Sequence, residues 1–279
     1  MTASPGREPL PFEQIAFLMG MPRSGTSWLS QIVDSSPEVR FRLSPLFSYA
    51  FKNAVNERSS RVEWEDVLRG AYLIEDRFMA QTCQREAGRY PVFAEKADSP
   101  PVLVVKDTRY HNLLERILSL FENSRLVAIA RHPCGAIHSW LTTPKEFPQG
   151  ADPLKEWRSG ACRKTAPEEF WGFEDWKIAT RLHLDLMRRH PGRVHFMRYE
   201  ALVEDAFAET RRLFDFLGLR WSRQTEAFLS ESQSRHEEHT HAVFKRPDVK
   251  DRWRRELDPV IQNEIRKDLE GSDLARFLD

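Results

Sequence analysis

The stretch "GMPRSGTSW" (20–28) combines two glycines, three hydroxyl side chains and one arginine directly after the apolar run "IAFLM" (15–19). Gly20 and Gly25 have the spacing of the loop G-x-x-x-x-G-K-[ST], which holds nucleoside triphosphates. Position 26 is threonine, where that loop needs a lysine to neutralise the β- and γ-phosphates. The pattern therefore predicts a strand, an anion-binding loop and a helix, without the main cation of triphosphate chemistry.

The remaining features of this loop suit a compact anion that needs no metal. Gly25 permits the tight turn, and we expect the backbone N–H groups of residues 24–28 to point from a helix N-terminus toward the anion. Thr26 and Ser27 add hydroxyl donors, and Arg23 adds a positive charge.

The segment "PRSGTSW" (22–28) resembles the 5′-phosphosulfate loop of sulfotransferases that use 3′-phosphoadenosine 5′-phosphosulfate (PAPS). Cytosolic members carry P-K-S-G-T-T-W, and carbohydrate and tyrosylprotein members carry P-R-S-G-T-[ST]. The resemblance implies that this loop binds PAPS and its product 3′,5′-adenosine bisphosphate (PAP), with the last residue stacking on adenine. The residues concerned are Arg23, Ser24, Gly25, Thr26, Ser27 and Trp28.

A second segment, "VAIARHPCGAIHSW" (127–140), resembles the family's other nucleotide motif, a strand that ends in Arg with a Ser eight residues later. Here these are Arg131 and Ser139. A guanidinium fork and a hydroxyl are suited to the 3′-phosphate that distinguishes PAPS from ATP. The family often has Asp after this Arg, whereas this chain has His132.

Two C-terminal segments extend the resemblance. "FMRYEALVEDAFAETRRLFDFLGL" (196–219) is similar to a strand–loop–helix element that would place Tyr199 beside adenine. "FKRPDVKDRW" (244–253) resembles F-x-R-K-G-x-x-G-D-W, so that Arg246, with Lys245 compensating for the departures, would bind the 3′-phosphate. A solvated charged loop is the alternative interpretation of that segment.

Sulfuryl transfer needs positioning, charge stabilisation and a base for the acceptor proton. The resemblance implies that Arg23 stabilises the leaving phosphate. Lys106 ends the apolar run "VLVVK" (102–106), and by resemblance it reaches the transferred group. Since side chains supply the cations, no metal is required.

The catalytic base is missing from both positions where the family places one. The usual His corresponds to Thr108 and the usual Glu to Ser44. His111, which has a suitable intrinsic pKa, is the leading candidate, and Asp107 and Glu95 are weaker ones. A solvated first turn of a helix is an equally good interpretation of His111.

Short apolar runs alternate with helical patterns along the chain. Uninterrupted apolar runs predict strands buried on both faces, and alternation with helices predicts a parallel α/β sheet flanked by helices. Residues 41–100 and 142–173 read as insertions that form the acceptor pocket, and "EEFWGFEDW" (168–176) suggests an apolar wall. Predicted strands are 15–19, 102–105, 125–130 and 193–199; predicted helices are 26–34, 66–88, 111–121, 174–190 and 205–217.

The length of 279 residues predicts a single domain (1–279), with proline-rich residues 1–12 as a mobile arm. Lys plus Arg and Asp plus Glu number 42 each, which argues against a nucleic-acid partner. Three widely spaced cysteines and the lack of a signal or membrane run favour a cytoplasmic protein. The expected partner is a small-molecule or carbohydrate acceptor.

Alternative interpretations remain. The stretch "HEEHTH" (236–241) lacks the i, i+4 histidine pair of zinc proteases, and a solvated or acceptor-facing loop is the preferred interpretation. A nucleoside-phosphate kinase would use ATP and magnesium, against which the missing loop lysine counts. A non-catalytic member would bind PAP without transferring a group to any acceptor.

Overall fold

The protein is built around one five-stranded sheet in which every pair of neighbouring strands is parallel. The computed structural model describes residues 8–234, 243 and 250–279. The strands are β1 (Gln14–Gly20), β2 (Val39–Leu43), β3 (Val102–Asp107), β4 (Ser124–Ala130) and β5 (Val194–Arg198). Their order is β2-β3-β1-β4-β5, which confirms the predicted parallel α/β sheet.

Helices cover both faces of this sheet, as predicted. They are α1 (Thr26–Asp34), α2 (Arg61–Leu73), α3 (Thr82–Glu86), α4 (Leu114–Leu120), α5 (Pro133–Leu141), α6 (Pro153–Glu156), α7 (Gly172–Arg189), α8 (Tyr199–Glu204), α9 (Ala206–Leu217), α10 (Arg223–Ser234), α11 (Trp253–Glu256) and α12 (Pro259–Leu269). Successive residues of β1 point to opposite faces. Leu18 packs in one cluster with Leu29 of α1, whereas Phe17 packs in another with Trp64 of α2.

The central strands end at the same edge of the sheet. Leu18 lies beside Lys106, and Met19 lies beside Asp107 on one side and Ala128 on the other. The segments that follow β1, β3 and β4 therefore begin next to each other. This register brings together three stretches that are far apart in sequence.

Two element predictions between residues 39 and 88 were wrong. The sequence pattern missed β2, because its sequence "VRFRL" places two arginines in a strand. The predicted helix 66–88 is two helices, α2 and α3, separated by a turn. One residue explains both errors. The buried guanidinium of Arg42 donates to the carbonyl oxygens of Ala71, Tyr72 and Ile74, where α2 ends.

Two further segments pack against the body of the protein. Within the predicted arm, Phe12 is buried against Tyr72, and the Arg69 guanidinium donates to the carbonyl oxygens of Glu8 and Pro9. In the predicted aromatic wall, Trp171 and Phe173 lie in a core cluster with residues of α5 and α12. That segment supports α5 from inside the protein.

No helix among the described residues has the length and apolar content to cross a membrane.

Candidate active site

The loop between β1 and α1 has the compact backbone expected of an anion-binding turn. Arg23 and Gly25 have positive φ angles of 71° and 90°, and the Ser24 N–H donates to the Met21 carbonyl oxygen at 3.2 Å. Tyr199, the first residue of α8, closes over the loop. A Cβ atom at Gly25 would lie 2.4 Å from the Tyr199 ring. Glycine is thus required at position 25 for two independent reasons, its backbone angle and this contact.

The polar groups of this loop suit an anionic ligand. The Ser24 hydroxyl is fully buried and has no hydrogen-bond partner among the described residues. An unsatisfied buried hydroxyl is rare in native structures and calls for a bound partner. It lies immediately before α1, whose first N–H groups point out of the helix end and favour negative charge. A phosphate or sulfate oxygen could accept hydrogen bonds both from the Ser24 hydroxyl and from the first N–H groups of α1.

Arg23 connects the loop to the segment that follows β4. Its Nε donates to the Ser139 hydroxyl on α5 at 3.1 Å, and its guanidinium lies 3.5 Å from the Glu146 carboxylate. Burial lowers the pKa of Arg23, and the Glu146 charge partly offsets that effect. The structure therefore brings together two predicted site residues, Arg23 and Ser139, and adds a carboxylate.

Arg131 lies on the other side of the same loop. Its guanidinium approaches the Arg23 carbonyl oxygen at 3.4 Å and lies 4.7 Å from the ring centre of Tyr199. Its own carbonyl oxygen accepts a hydrogen bond from Trp176 at 3.0 Å. Arg131 is only 6% exposed, so its charge is directed toward the loop and not into solvent. The loop, Arg131 and Ser139 form one positively charged site.

His132, at the position where the resemblance led us to expect an aspartate, is the N-cap of α5. Its Nδ1 accepts a hydrogen bond from the Cys134 N–H at 3.1 Å, as the oxygen of an aspartate N-cap would. Its Nε2 lies 3.2 Å from the Leu278 carbonyl oxygen, and its ring stacks on Trp253 at 4.1 Å. Burial lowers the pKa of His132 to about 4, so the imidazole is neutral. The aspartate-to-histidine departure thus preserves the helix cap.

Lys106 is the second-last residue of β3 and lies beside Leu18 of β1, at the same edge of the sheet. Burial lowers its pKa to about 8; Asp107 and Glu146 raise it in part, and Arg109 and Arg23 lower it further. Within the described part of the chain, no carboxylate oxygen lies within 4.0 Å of the Lys106 ammonium. A cation without a local partner is suited to bind an incoming anion.

The three candidate bases differ in their surroundings. His111 is completely buried, and its Nδ1 lies 3.0 Å from Nε2 of His183. Because the side chain is completely buried, it has no surface to offer an acceptor. Burial also lowers the pKa of His111 to about 4. Asp107 accepts hydrogen bonds from the backbone N–H groups of Thr108 and Arg109, which occupies it as a turn-forming side chain.

Glu95 is the third candidate base, and Ser44 occupies one of the two positions where the family places a base. Glu95 is exposed, and its backbone N–H donates to the Gln224 side chain at 2.9 Å. Ser44, where the family has Glu, is buried, and its N–H donates to the Lys106 carbonyl oxygen at 2.8 Å. Ser44 therefore supports the Lys106 backbone, and its hydroxyl is not a base.

The expected adenine side of the site is formed in part by α1 and α10. The Trp28 indole N–H donates to the Ser232 hydroxyl at 3.0 Å, and its ring packs against the core cluster that contains Tyr199. Tyr90, which the sequence analysis did not single out, is buried and hydrogen-bonded to Ser27. Lys245, Arg246 and the stretch 236–241 lie outside the described residues.

Sequence signals could not have found Glu146 or Tyr90. Both follow loops without a clean period, and neither belongs to a motif. Glu146 is placed by contacts of the turn after α5, and Tyr90 by the packing of the segment after α3. Only the folded chain brings them to Arg23 and Ser27.

The parallel sheet, the glycine loop at the start of α1 and the arginine that follows β4 define a protein that binds a phosphorylated nucleotide at the carboxyl edge of its sheet. Comparison with known proteins identifies the family. The family model described as "Sulfotransferase family" matches residues 16–223, so the chain belongs to the sulfotransferase family and the predicted sulfuryl-transfer function is confirmed at that level.

Individual proteins are similar to this chain in sequence or in fold. A Caenorhabditis briggsae protein named "Putative protein-tyrosine sulfotransferase" is 25% identical over 221 residues, covering 76% of this chain and 68% of the relative. The fold is similar to the sulfotransferase domain from the curacin biosynthetic pathway (TM-score 0.52, 16% identity, 93% of this chain and 98% of that one). It is also similar to a mouse sulfotransferase complexed with PAP (TM-score 0.54, 15% identity, covering 95% of this chain and 88% of that one).

Proposed function

We propose that this chain transfers the sulfuryl group of PAPS to a hydroxyl or amine of a small-molecule or glycan acceptor. The observation that carries the proposal is that Arg131 and Ser139 both contact Arg23, in the loop that also holds the unsatisfied buried hydroxyl of Ser24. PAPS has two anionic groups, a 5′-phosphosulfate and a 3′-phosphate, and the site offers a separate set of donors for each.

The residues divide between the two ends of the nucleotide. The loop N–H groups, Ser24 and Thr26 would hold the 5′-phosphosulfate, and Arg131 with Ser139 would hold the 3′-phosphate. Trp28 and Tyr199 would lie beside adenine, and Lys245 with Arg246 would add positive charge. When bound, PAPS supplies the sulfuryl group and leaves as PAP.

The remaining cations would act on the charge that moves during transfer. Arg23 would stabilise the leaving phosphate, and Lys106, with a pKa of about 8, is partly protonated at neutral to mildly basic pH. In a buried site such charges act more strongly than in water. Because both are side chains of this chain, the proposal requires no metal.

Calorimetric titration with PAP, beside ATP with magnesium, tests the nucleotide assignment. We expect PAP to be preferred, and Arg131→Ala to weaken PAP binding roughly tenfold to a hundredfold, since a charge-assisted hydrogen bond contributes about 1.5–3 kcal/mol. Arg131→Lys keeps the charge but loses the guanidinium fork, so its affinity for PAP should lie between that of the wild type and that of Arg131→Ala. Arg181→Ala, an exposed arginine paired with Asp273, is the matched control.

Two outcomes would redirect the assignment. Preference for ATP with magnesium would favour the kinase alternative. Tight PAP binding with no transfer to phenols, alkyl alcohols, amines, sugars or a tyrosine peptide would favour the non-catalytic alternative. The tyrosine peptide belongs in that panel because the Caenorhabditis briggsae relative is named for protein tyrosine.

The cytoplasm is the proposed location. It is supported by the three cysteines, Cys83, Cys134 and Cys162, which are all free thiols in the structure. Free cysteines are typical of a reducing compartment. Imaging of the tagged full-length chain would test this location.

A further inference from the structure

We propose that Glu146 is the general base that accepts the acceptor proton; this inference rests on the proposed function. The two usual base positions are Thr108 and Ser44, and His111 is buried against His183. Glu146 is a carboxylate that the fold places beside Arg23. It belongs to no motif of the sequence.

The position of Glu146 relative to the two catalytic cations supports this role. Its carboxylate lies 3.5 Å from the Arg23 guanidinium, and its charge is close enough to raise the pKa of Lys106. The side chain is 15% exposed, so it is held in the site and still has a surface to present to an acceptor. His111, by contrast, is 0% exposed.

The turn that carries Glu146 is held firmly by α5. The Thr143 hydroxyl donates to the Ser139 carbonyl oxygen at 2.6 Å, and the Trp140 indole N–H donates to the Glu146 carbonyl oxygen at 3.2 Å. Phe147 is buried and packs edge-on against Trp140 at 5.3 Å. A base must be held within hydrogen-bonding reach of its proton, and this turn fixes the Glu146 backbone in that way.

A carboxylate beside an anion-binding loop requires an explanation, because it repels the phosphosulfate that the loop is built to hold. Anionic ligand at Arg23 would compete with Glu146 for the guanidinium and release the carboxylate toward the acceptor. Glu146 then accepts the proton of the acceptor hydroxyl as the acceptor oxygen bonds to sulfur. The electron pair of the broken S–O bond departs on the 5′-phosphate of PAP, so atoms and charge balance.

Water is an acceptor that is always present, so the test does not depend on knowing the natural one. Sulfate release from radiolabelled PAPS is measured at high concentration of the full chain. Glu146→Gln should slow this hydrolysis by about a hundredfold, within the usual contribution of a general base. Glu146→Asp should restore part of the rate. The control is Glu270→Gln, which removes an exposed glutamate at the C-terminal end of α12 and should leave the rate unchanged.

PAP affinity, measured by calorimetry on the same variants, separates a base from a structural residue. Glu146→Gln should bind PAP as tightly as the wild type or more tightly, because a like charge has been removed. Unchanged hydrolysis in Glu146→Gln, a wild-type rate equal to that of buffer alone, or loss of PAP binding in the variant would each overturn the role of Glu146. Failure of the wild type to bind PAP would instead overturn the proposed function, and this inference with it.

Discussion

At the residue scale, Gly25 is the position where the loop tolerates least change. Its φ of 90° is unfavourable for any residue with a Cβ atom, and that atom would meet the Tyr199 ring at 2.4 Å. We expect Gly25→Ala to destabilise the fold by about 1–3 kcal/mol and to weaken PAP binding at least roughly tenfold. Urea denaturation and calorimetric titration measure the two effects.

Gly150 provides a matched control for this prediction. Its φ of 86° is nearly the same, but a Cβ atom there would meet nothing within 4 Å. Gly150→Ala should therefore show the cost of the backbone angle without the clash, and PAP affinity should not change. Equal losses of stability and equal PAP affinities in the two variants would mean that the Tyr199 contact is unimportant.

Where the candidate site is built from local motifs, residue spacing was enough to propose residues that the structure places close together. Arg23 and the loop that contains it adjoin a strand end, and Arg131 and Ser139 share one strand–helix unit, so spacing alone was informative. Glu146 depends on the packing of Trp140 and Phe147, which no short-range pattern encodes. Sequence could show that the usual base was missing, but it could not show where a substitute lies.

At the element scale, α5 depends on the N-cap that His132 provides. The imidazole caps the helix, stacks on Trp253 and reaches the Leu278 carbonyl oxygen, so it also fixes the C-terminal segment. We expect His132→Ala to lower the free energy of unfolding by about 2 kcal/mol, from the lost cap and the lost stacking. Urea denaturation provides the measurement.

The Asn variant separates the two contributions at this position. Asparagine is a good N-cap but cannot stack on Trp253 as imidazole does. His132→Asn should therefore recover roughly half of the lost stability. If it is no better than His132→Ala, the cap does not contribute and the stacking accounts for the effect.

Helices and strands were predicted correctly where a continuous apolar run or a clear helix end marks them in the sequence. β1, β3 and β4 are nearly continuous apolar runs inside the sheet, and α9 ends at Gly218 in the left-handed conformation, as its sequence predicts. The sequence pattern missed β2 because this strand lies at the sheet edge, where the buried Arg42 is stabilised by carbonyl oxygens at the end of α2. A strand that depends on a distant helix end has no local signature.

At the scale of the whole molecule, the buried His111–His183 pair joins the segment after β3 to α7. The two ring nitrogens are 3.0 Å apart, and both side chains are almost completely buried. Burial lowers the pKa of His111 to about 4, and burial together with His111 lowers the pKa of His183 well below its usual value. Both rings are therefore neutral near neutral pH.

The direction of the resulting pH dependence follows from these shifts. An unfolded histidine binds a proton below about pH 6.5, whereas His111 in the folded protein does so only near pH 4. The unfolded state therefore binds more protons between those values, and stability falls as the pH falls. His111 alone should cost about 3 kcal/mol on going from pH 7 to pH 4, and His183 should add to this.

Urea denaturation across this pH range, on the wild type and on His111→Gln, would measure the effect. The variant removes one of the two titrations, so its unfolding free energy should decline less steeply below pH 6.5. Gln262→Ala changes a side chain that does not titrate, and it should keep the wild-type slope. If His111→Gln also keeps that slope, His111 is already protonated in the folded protein. It would then need a carboxylate or solvent contact that its surroundings in the structure do not provide. The same titration bears on catalysis, because a histidine that stays neutral and buried down to acidic pH is a structural group, which strengthens the case for Glu146 as the base.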